Sequence, residues 1–372
     1  MTYLQAVKSI IADVIAPQTQ NTDRNAMFPR AAMTAFGQAG IMGLISAKEV
    51  GGQGLGLNEA AEVIETIAQT CPSTAMVLTM HFCATAVIEK FGDTATRTAI
   101  ASGNHLSTLA WSEASSRSHF WAPTGTAEKH NDGFILNGAK TMVTTAVEAD
   151  SYVWSSKPSS GEGASSLWLV KKSQVGLTSP KAFDGLGLRG NASAPMKGDN
   201  MKVEANALLG TDGGGFDIMI GTVLPVFCTL IASTSLGLMD GAFSLTLQHV
   251  TGQKFQHLNS SLAELPTIRA YLAKAKIKVD MVRTLRNDTL LALKENRADA
   301  MLRVMEVKAA AAEHAIEVTD TCMRVCGGAA FRKDFELEKF FRDARSASIM
   351  APTSDVLFDF IGKAICNMPV FG

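Results

Sequence analysis

Residues 299–328 read DAMLRVMEVKAAAAEHAIEVTDTCMRVCGG. Apolar residues recur every three or four positions from Val304 to Val325, and this spacing places them on one face of a long helix. Asp299 stands where the helix begins. Gly327-Gly328 end it, because glycine readily adopts the left-handed conformation of a helix C-cap. A helix of this length buries its apolar face against other helices, so the stretch predicts a helical bundle.

Neighbouring segments supply the other helices of this bundle. A second apolar seam has the spacing 3, 4, 3, 4, 3 and consists of Leu265, Ile268, Leu272, Ala275, Val279 and Val282. The most apolar stretch, 218–238, contains Pro225 and several hydroxyl residues and lacks flanking basic anchors, which favours a core helix over a membrane span. A short helix over 336–345 and a last helix after Pro352 complete a four-helix bundle, which we predict for residues 211–372.

The apolar pattern differs in the two regions before the bundle. Residues 106–210 alternate with period two, and Asn131-Asp132-Gly133 signals a hairpin, so this region predicts a small antiparallel barrel or sandwich. Residues 1–105 have helical spacing and predict an N-terminal all-α domain. Gly185–Gly190 matches GxGxxG but no helix opens after it, and Gly51–Gly56 lacks the Lys-Ser of a P-loop. The predicted fold is therefore α+β, with a helical domain, a small β-barrel domain and a four-helix bundle.

Composition narrows the class of protein. Lys plus Arg number 34 and Asp plus Glu 35, for a net charge of -1, which argues against nucleic-acid binding. Six cysteines occur without a CxxC pair, so we expect buried thiols and no metal site. The N-terminus has no basic region followed by an apolar stretch, so we expect no signal peptide and a cytoplasmic protein without a membrane span.

The order of these three regions resembles the acyl-CoA dehydrogenase superfamily, and a set of motifs carries the resemblance. In chain order they are GLI at 43–45 with EVGGQGLG at 49–56, LAWSE at 109–113, NGAKTMVTTA at 137–146, LGLRGN at 186–191, LLG at 208–210 with GF at 215–216, CGG at 326–328, and EK at 338–339 with RDAR at 342–345. The similarity covers nearly the whole chain. It implies the fold just predicted and a homotetramer or homodimer.

The resemblance also implies the chemistry of a flavin-dependent oxidoreductase. In this family a carboxylate removes the α-proton of an acyl thioester while the β-hydrogen leaves as hydride to the flavin. The implied cofactor is FAD rather than FMN. The implied substrate is an acyl group on CoA or on a carrier protein, and the implied redox partner is an electron acceptor or a flavin reductase.

The chain departs from the family at the base. In most members the base is a Glu eight residues beyond the Asp of the RDA motif, and counting from Asp343 gives Ala351. Some members place a Glu on the first bundle helix, near Phe227 or Cys228 here, and neither residue is a carboxylate. The catalytic residue is thus unknown, with Asp355 as a candidate substitute or as an acid that offsets the helix dipole.

Other positions carry over as cofactor and substrate contacts. The resemblance implies flavin contacts at Trp111, Ser112, Ser118, Met142, Thr144, Arg324, Gly327, Gly328 and Thr353. Met142 replaces the usual Trp beside the ring. Arg324 could replace an arginine that is lost where the chain has Phe255, with Leu258-Asn259 in place of Phe-Gly. Arg117 and His119 would lie at the substrate channel and suit a phosphopantetheine or a small anion, or else belong to a packed, solvated loop. His81, on an apolar helix, is expected to be a core histidine.

Three functions remain open from the sequence. The first is oxidation of the CH–CH group of an acyl thioester with the usual base position empty of a carboxylate. The second is a flavin monooxygenase of the same fold, although its usual histidine near the last helix is missing because no histidine follows His314. The third is a non-catalytic homologue that binds an acyl group or flavin.

Overall fold

The computed structural model of the chain describes residues 2–255, 257 and 260–371. These residues divide into two compact units. The first unit comprises Met1–Val63, Met76–Gly185 and Arg189–Phe227, and the second comprises Ile64–Ala75, Leu186–Leu188 and Cys228–Gly372.

Helices fill the N-terminal region, as predicted. They are α1 (Tyr3–Ile10), α2 (Thr19–Arg24), α3 (Arg30–Gln38), α4 (Leu57–Ala68), α5 (Pro72–Phe91) and α6 (Thr94–Ala101). Local sequence sets their ends. Thr2 and Gln5 form a capping box at α1, and the Asp93 side chain accepts a hydrogen bond from Thr96 N at the start of α6.

Eight strands of the first unit form two four-stranded sheets. They are β1 (Ser107–Ala110), β2 (Thr126–His130), β3 (Gly133–Val143), β4 (Ser151–Ser156), β5 (Ser166–Lys171), β6 (Leu177–Thr178), β7 (Ala194–Glu204) and β8 (Leu208–Leu209). The sheet orders are β1-β4-β5-β8 and β2-β3-β7-β6. Residues of both sheets share one hydrophobic cluster, which corresponds to the sandwich form of the prediction. One pairing departs from it, because β1 runs parallel to β4 whereas an antiparallel sheet was predicted.

Turn chemistry and aromatic residues explain this β-structure. Strands β2 and β3 pair from His130 to Gly133, so Asn131 and Asp132 form the turn, and Asn131 has the positive φ that such turns need. Trp154 on β4 lies opposite Trp168 on β5, and both side chains are fully buried. A cross-strand aromatic pair of this kind fixes the register and supplies much of the buried apolar area.

Long helices form the second unit, and its C-terminal part confirms the predicted bundle. The remaining elements are α7 (Gly215–Ile218), which belongs to the first unit, and α8 (Leu224–Gly252), most of which belongs to the second. The second unit continues with β9 (Lys254–Phe255), β10 (Ser260–Ser261), α9 (Pro266–Lys294), α10 (Ala300–Cys326), α11 (Leu337–Asp343), α12 (Arg345–Ile349) and α13 (Ser354–Ile365). Side chains of α8, α9 and α10 share one hydrophobic cluster, and α13 packs against α10. Helix α10 ends before Gly327, as predicted, but the cap differs from the prediction: Gly327 has φ 53° and ψ -133°, which is not the left-handed helical conformation.

The predicted seam of α9 is correct over its central part only. Ala275, Val279 and Val282 are buried in the bundle core. Leu265 precedes the helix and is 41% exposed, so it does not belong to the seam. Pro266 is the first residue of α9, and proline is favoured at this position because its missing N–H has no partner in the first turn.

One helical stretch, Gly215–Gly252, is long and apolar enough to cross a membrane by length and composition alone. Within its most apolar 18-residue window, 61% of the window is buried inside the fold. Among the residues that the structure describes, this is the single candidate, and its burial is typical of a core helix.

Candidate functional site

A buried ion pair joins two of the sequence motifs in the first unit. Lys140 Nζ lies 2.6 Å from Glu113 Oε1, and it also donates to Ser155 O and Ser155 Oγ at 2.7 and 2.8 Å. The two charged side chains are 0% and 2% exposed. Glu113 also accepts hydrogen bonds from the backbone N–H and the hydroxyl of Thr124. All the strong donors and acceptors of the pair are thus engaged, which is the condition for burying charge.

Burial and pairing act in opposite directions on these two groups. Burial lowers the pKa of Lys140 to about 8, although the carboxylate beside it favours the charged form. Burial would raise the pKa of Glu113, but the Lys140 charge and the hydrogen bonds from Lys140 and Thr124 bring this pKa below its usual value. At pH 7 the pair is therefore ionised.

The ion pair holds side by side the two segments that were predicted to contact flavin. Thr141 N, next to Lys140, donates to Ser112 O, next to Glu113, at 2.9 Å. This bond places Ser112 beside the end of β3, where Met142 is 61% exposed and Thr144 is largely buried. Thr144 is held in turn, because its carbonyl accepts a hydrogen bond from Thr108 Oγ1 at 2.9 Å. Ser112, Met142 and Thr144 therefore all lie at or beside the C-terminal end of β3 in the first unit.

Aromatic residues shape the loop after β1. Trp111 stacks on Phe120 with ring centroids 5.9 Å apart, and His119 meets Trp121 edge-on at 5.1 Å. Arg117 has a positive φ of 48°. Arg117 and His119 are exposed, as expected of residues that contact a ligand from solvent or of a solvated loop. Ser118 is half-buried in the same loop.

Two buried donors of this loop, the indole N–H of Trp111 and the hydroxyl of Ser116, have no acceptor among the residues that the structure describes. An unsatisfied buried N–H is costly, so an acceptor supplied by a ligand would stabilise it. The hydroxyls of Ser112, Ser118 and Thr144 and this indole N–H, called the donor set below, are donors of the kind that the carbonyl oxygens and ring nitrogens of a flavin accept.

The second unit contains the position expected to carry the base. Ala351 lies in the linker between α12 and α13 and is half-buried. Thr353 caps α13 by accepting a hydrogen bond from Val356 N at 3.4 Å. Asp355 lies in the first turn of α13 and is exposed, a placement that suits an acid offsetting the helix dipole.

A buried lysine that the sequence analysis did not single out holds this linker. Lys308 Nζ donates to the backbone carbonyls of Ala347, Met350 and Pro352 at 3.0, 3.0 and 2.7 Å. Burial lowers its pKa to about 8, and the nearby thiol of Cys228 acts in the opposite direction. The sequence could have indicated this lysine, because it lies four residues after Val304 and therefore on the apolar face of α10.

The other sequence candidates for a base do not carry a free basic group. Burial raises the pKa of the Cys228 thiol to about 12, so this cysteine is protonated at neutral pH. His81 is fully buried, with Nε2 3.0 Å from Met42 O and Nδ1 accepting a hydrogen bond from Ser107 N, and is a core histidine as predicted. Across the described part of the chain, no group of three or more His, Cys, Asp or Glu side chains could hold a metal ion.

The predicted nucleotide contacts lie at the end of α10. The Arg324 guanidinium lies over the Tyr271 ring, 5.5 Å from its centroid, and is exposed. Gly327 and Gly328 are exposed, and a Cβ added at either would meet nothing within 4 Å, so their backbone is open to a ligand. The backbone of Phe255 lies in β9, but Leu258 and Asn259, where the resemblance expects Phe-Gly, lie outside the described residues.

Comparison with known families gives one consistent result. Three family models match the chain in order: the N-terminal domain of acyl-CoA dehydrogenase over residues 2–102, its middle domain over 108–201 and its C-terminal domain over 213–366. A similar curated protein is cyclohex-1-ene-1-carbonyl-CoA dehydrogenase of Syntrophus aciditrophicus (strain SB). The two are 26% identical over 373 residues, which cover 97% of this chain and 88% of the relative.

Solved structures have the same fold. The FAD complex of PigA superimposes with a TM-score of 0.90 at 17% identity, covering 98% of this chain and 96% of that one. The prolyl acyl carrier protein oxidase AnaB superimposes with a TM-score of 0.89 at 20% identity, covering 98% of both chains.

Proposed function

The chain belongs to the acyl-CoA dehydrogenase family and is a flavin-dependent oxidoreductase with FAD as its cofactor, and on this basis we propose that it acts on the CH–CH group of an acyl thioester without a carboxylate at the usual base position. The acyl group would be carried by CoA or by a carrier protein. FAD, when bound, supplies the acceptor for the hydride that leaves the β-carbon.

One observation carries the proposal. The side chain at position 351 is a methyl group, which cannot accept a proton at any pH. The alternative position on α8 holds a Cys228 thiol whose raised pKa keeps it protonated, and Asp355 is exposed at the helix N-terminus. We therefore expect the wild-type chain to bind an acyl thioester but to remove its α-proton slowly.

The donor set of the first unit supports a place for the flavin. We propose that Trp111, Ser112, Ser118 and Thr144 donate hydrogen bonds to the cofactor and that Met142 packs beside its ring. In the second unit we propose nucleotide contacts at Arg324, Gly327 and Gly328. We propose a further cofactor contact at Thr353, whose hydroxyl accepts the helix cap bond. Arg117 and His119 would bind the phosphates of a phosphopantetheine arm, because both are exposed on one loop.

The proposed reaction is tested by anaerobic mixing of the FAD-loaded protein with saturated acyl-CoAs from butyryl to palmitoyl. The wild type should perturb the flavin spectrum on binding and bleach slowly. Ala351→Glu should bleach at least about 100-fold faster, because a positioned general base contributes roughly that much. Ala351→Gln is the matched control, since it has the same size and accepts no proton. Equal rates in the Glu and Gln variants, with FAD bound, would contradict the proposal.

The two alternative functions predict different outcomes in this experiment. A non-catalytic homologue would bleach in neither the wild type nor Ala351→Glu, whatever the acyl-CoA. A monooxygenase would consume oxygen in the presence of a flavin reductase and a small-molecule substrate, without bleaching by an acyl thioester. If the substrate is carrier-bound, the flavin should bleach only when the acyl group is attached to a carrier protein. The assay therefore also uses acyl groups on a carrier protein, the kind of substrate named for AnaB, which has the same fold.

The finer expectations on organisation also remain proposals. We propose domains over 1–105, 106–210 and 211–372, a cytoplasmic location, and assembly into a homotetramer or homodimer. Helix α9 supports the assembly, because Ile277, Met281 and Leu291 expose apolar side chains on it. Light scattering coupled to gel filtration measures the oligomer, and a monomer at micromolar concentration would contradict it.

A further inference from the structure

Lys308 occupies a position that a bundle of this kind would normally fill with an apolar residue. It belongs to the seam of α10, four residues after Val304 and three before Ala311, both of which are fully buried. Its own side chain is fully buried as well. Burying an ammonium is costly, and a well-packed apolar side chain at such a site is often as stabilising or more so. The lysine therefore serves the groups that it contacts rather than the packing of the core.

Those groups are three backbone carbonyls on both sides of position 351. An ammonium has three N–H donors, and the carbonyls of Ala347, Met350 and Pro352 accept at 2.7 to 3.0 Å. Ala347 lies in α12, whereas Met350 and Pro352 lie in the linker before α13, where no helix ladder is available to them. Lys308 on α10 thus holds the end of α12 through one carbonyl and the non-helical linker through two.

The same ammonium interacts electrostatically with Cys228 on α8, near the second position at which the resemblance places a base. One buried cation therefore contacts the backbone on both sides of residue 351 and acts through its charge on position 228. A carboxylate introduced at either position would lie near this positive charge, which favours its ionised form.

We propose that Lys308 is a positioning residue for the reaction at position 351: it fixes the backbone on both sides of residue 351 and so sets the direction in which the side chain at 351 points. This inference rests on the proposed function for its catalytic meaning. Its structural content, a linker held by one ammonium, does not depend on which substrate the protein uses.

The first test measures the linker directly. Hydrogen–deuterium exchange of the FAD-loaded protein is followed in peptides covering residues 345–356, for the wild type, Lys308→Met and Lys308→Gln. Both variants should exchange at least about tenfold faster in these peptides, because hydrogen bonds to a charged donor are lost. Lys339→Met is the control, since Lys339 is another buried lysine of the second unit and donates to Thr70 O. It should leave these peptides unchanged.

The second test adds catalysis in the Ala351→Glu background. Lys308→Met should lower kcat by about tenfold or more with KM changed little, because orientation of the base is lost while substrate binding remains. Lys308→Arg, which keeps the positive charge, should retain a higher kcat than Lys308→Met. In Lys308→Met the pH profile of kcat/KM should shift to higher pH, because the carboxylate introduced at position 351 loses the nearby cation that favours its ionised form. Wild-type exchange in residues 345–356 of both lysine variants would overturn the proposal. If Ala351→Glu is itself inactive, the proposed reaction fails while the exchange result still decides the role of Lys308.

Discussion

Replacing either member of the Glu113–Lys140 pair should destabilise the first unit, and the two replacements should differ in size. Glu113→Gln removes the charge that pairs with the buried ammonium of Lys140, which keeps its contacts with Ser155 and the Trp154 ring. The lysine can then lose its proton, and from an ordinary pKa of 10.5 this costs about 5 kcal/mol at pH 7, which is the upper limit of the loss. The expected loss in the free energy of unfolding is about 3–5 kcal/mol, the usual range for breaking a buried pair.

Lys140→Met should cost less. The Glu113 carboxylate keeps the two hydrogen bonds from Thr124, and protonation from an ordinary pKa of 4.5 limits the loss to about 3 kcal/mol at pH 7. Stability of Glu113→Gln should rise as pH increases from 7 towards 10.5, because the unfolded chain then binds a proton that the folded one does not. Lys140→Met should show no such rise from this site.

Urea unfolding of both variants at several pH values is the assay, with FAD content measured alongside. FAD retention should fall in both, because the pair aligns Ser112 with Thr141. A loss below about 1 kcal/mol in either variant, or a larger loss in Lys140→Met than in Glu113→Gln, would refute the reasoning.

The other predictions concern the stability of the protein at acid pH, its affinity for FAD and the substitution of two glycines. Burial lowers the pKa of His81 from 6.5 to about 4, and its Nδ1 atom accepts a hydrogen bond from Ser107 N–H, which protonation would break. As pH falls from 6.5 to 4, only the unfolded chain binds this proton. The free energy of unfolding should therefore decrease by about 3 kcal/mol over this pH range. Urea titrations should show His81→Gln, which retains a donor and an acceptor, to be less acid-sensitive, and equal sensitivity would contradict this. Trp111→Phe should weaken FAD binding about tenfold by removing one donor. It should lower the Tm of the apoprotein less than Trp168→Phe, because Trp168 Nε1 donates to Ser156 Oγ whereas Trp111 Nε1 has no such bond to lose among the described residues. Unchanged FAD affinity of Trp111→Phe in a fluorescence titration would count against the donor set. Gly237→Ala should destabilise the protein by about 2 kcal/mol or more, because the added Cβ would lie 2.2 Å from Glu65 O. Gly362→Ala should stabilise α13 by about 0.5–1 kcal/mol, because a Cβ at this position would have no atom within 4 Å. Chemical unfolding that ranks these two variants in the reverse order would contradict the assigned packing.

The periodic parts of the fold could be predicted from the sequence. The helix Ala300–Cys326 follows from a spacing sustained over seven turns, and the hairpin follows from the conformational preferences of Asn131 and Gly133. Both depend on residues close together in the chain. The parallel pairing of β1 with β4 could not be predicted in this way, because it joins residues 44 positions apart through a connection that has no local signature.

The polar contacts of the site were the part that the sequence could not provide. Lys140 meets Glu113 across 27 residues, and Lys308 reaches carbonyls 39 to 44 residues away. Periodicity places Lys308 on the apolar seam of α10, but a pattern does not show which distant oxygens complete the hydrogen bonds of a lysine. The count from the RDA motif gives Ala351 as the expected base position, and the structure places this residue in the linker that Lys308 holds.

Exchange of the α-protons of butyryl-CoA in D2O, measured by mass spectrometry with FAD-loaded protein, tests the missing base most directly because it reports proton removal apart from hydride loss. The wild type and Ala351→Gln should exchange at the same slow rate, and Ala351→Glu should exchange at least about 100-fold faster. Rapid exchange by the wild type would show that another group of this chain removes the proton and would contradict the role assigned to position 351.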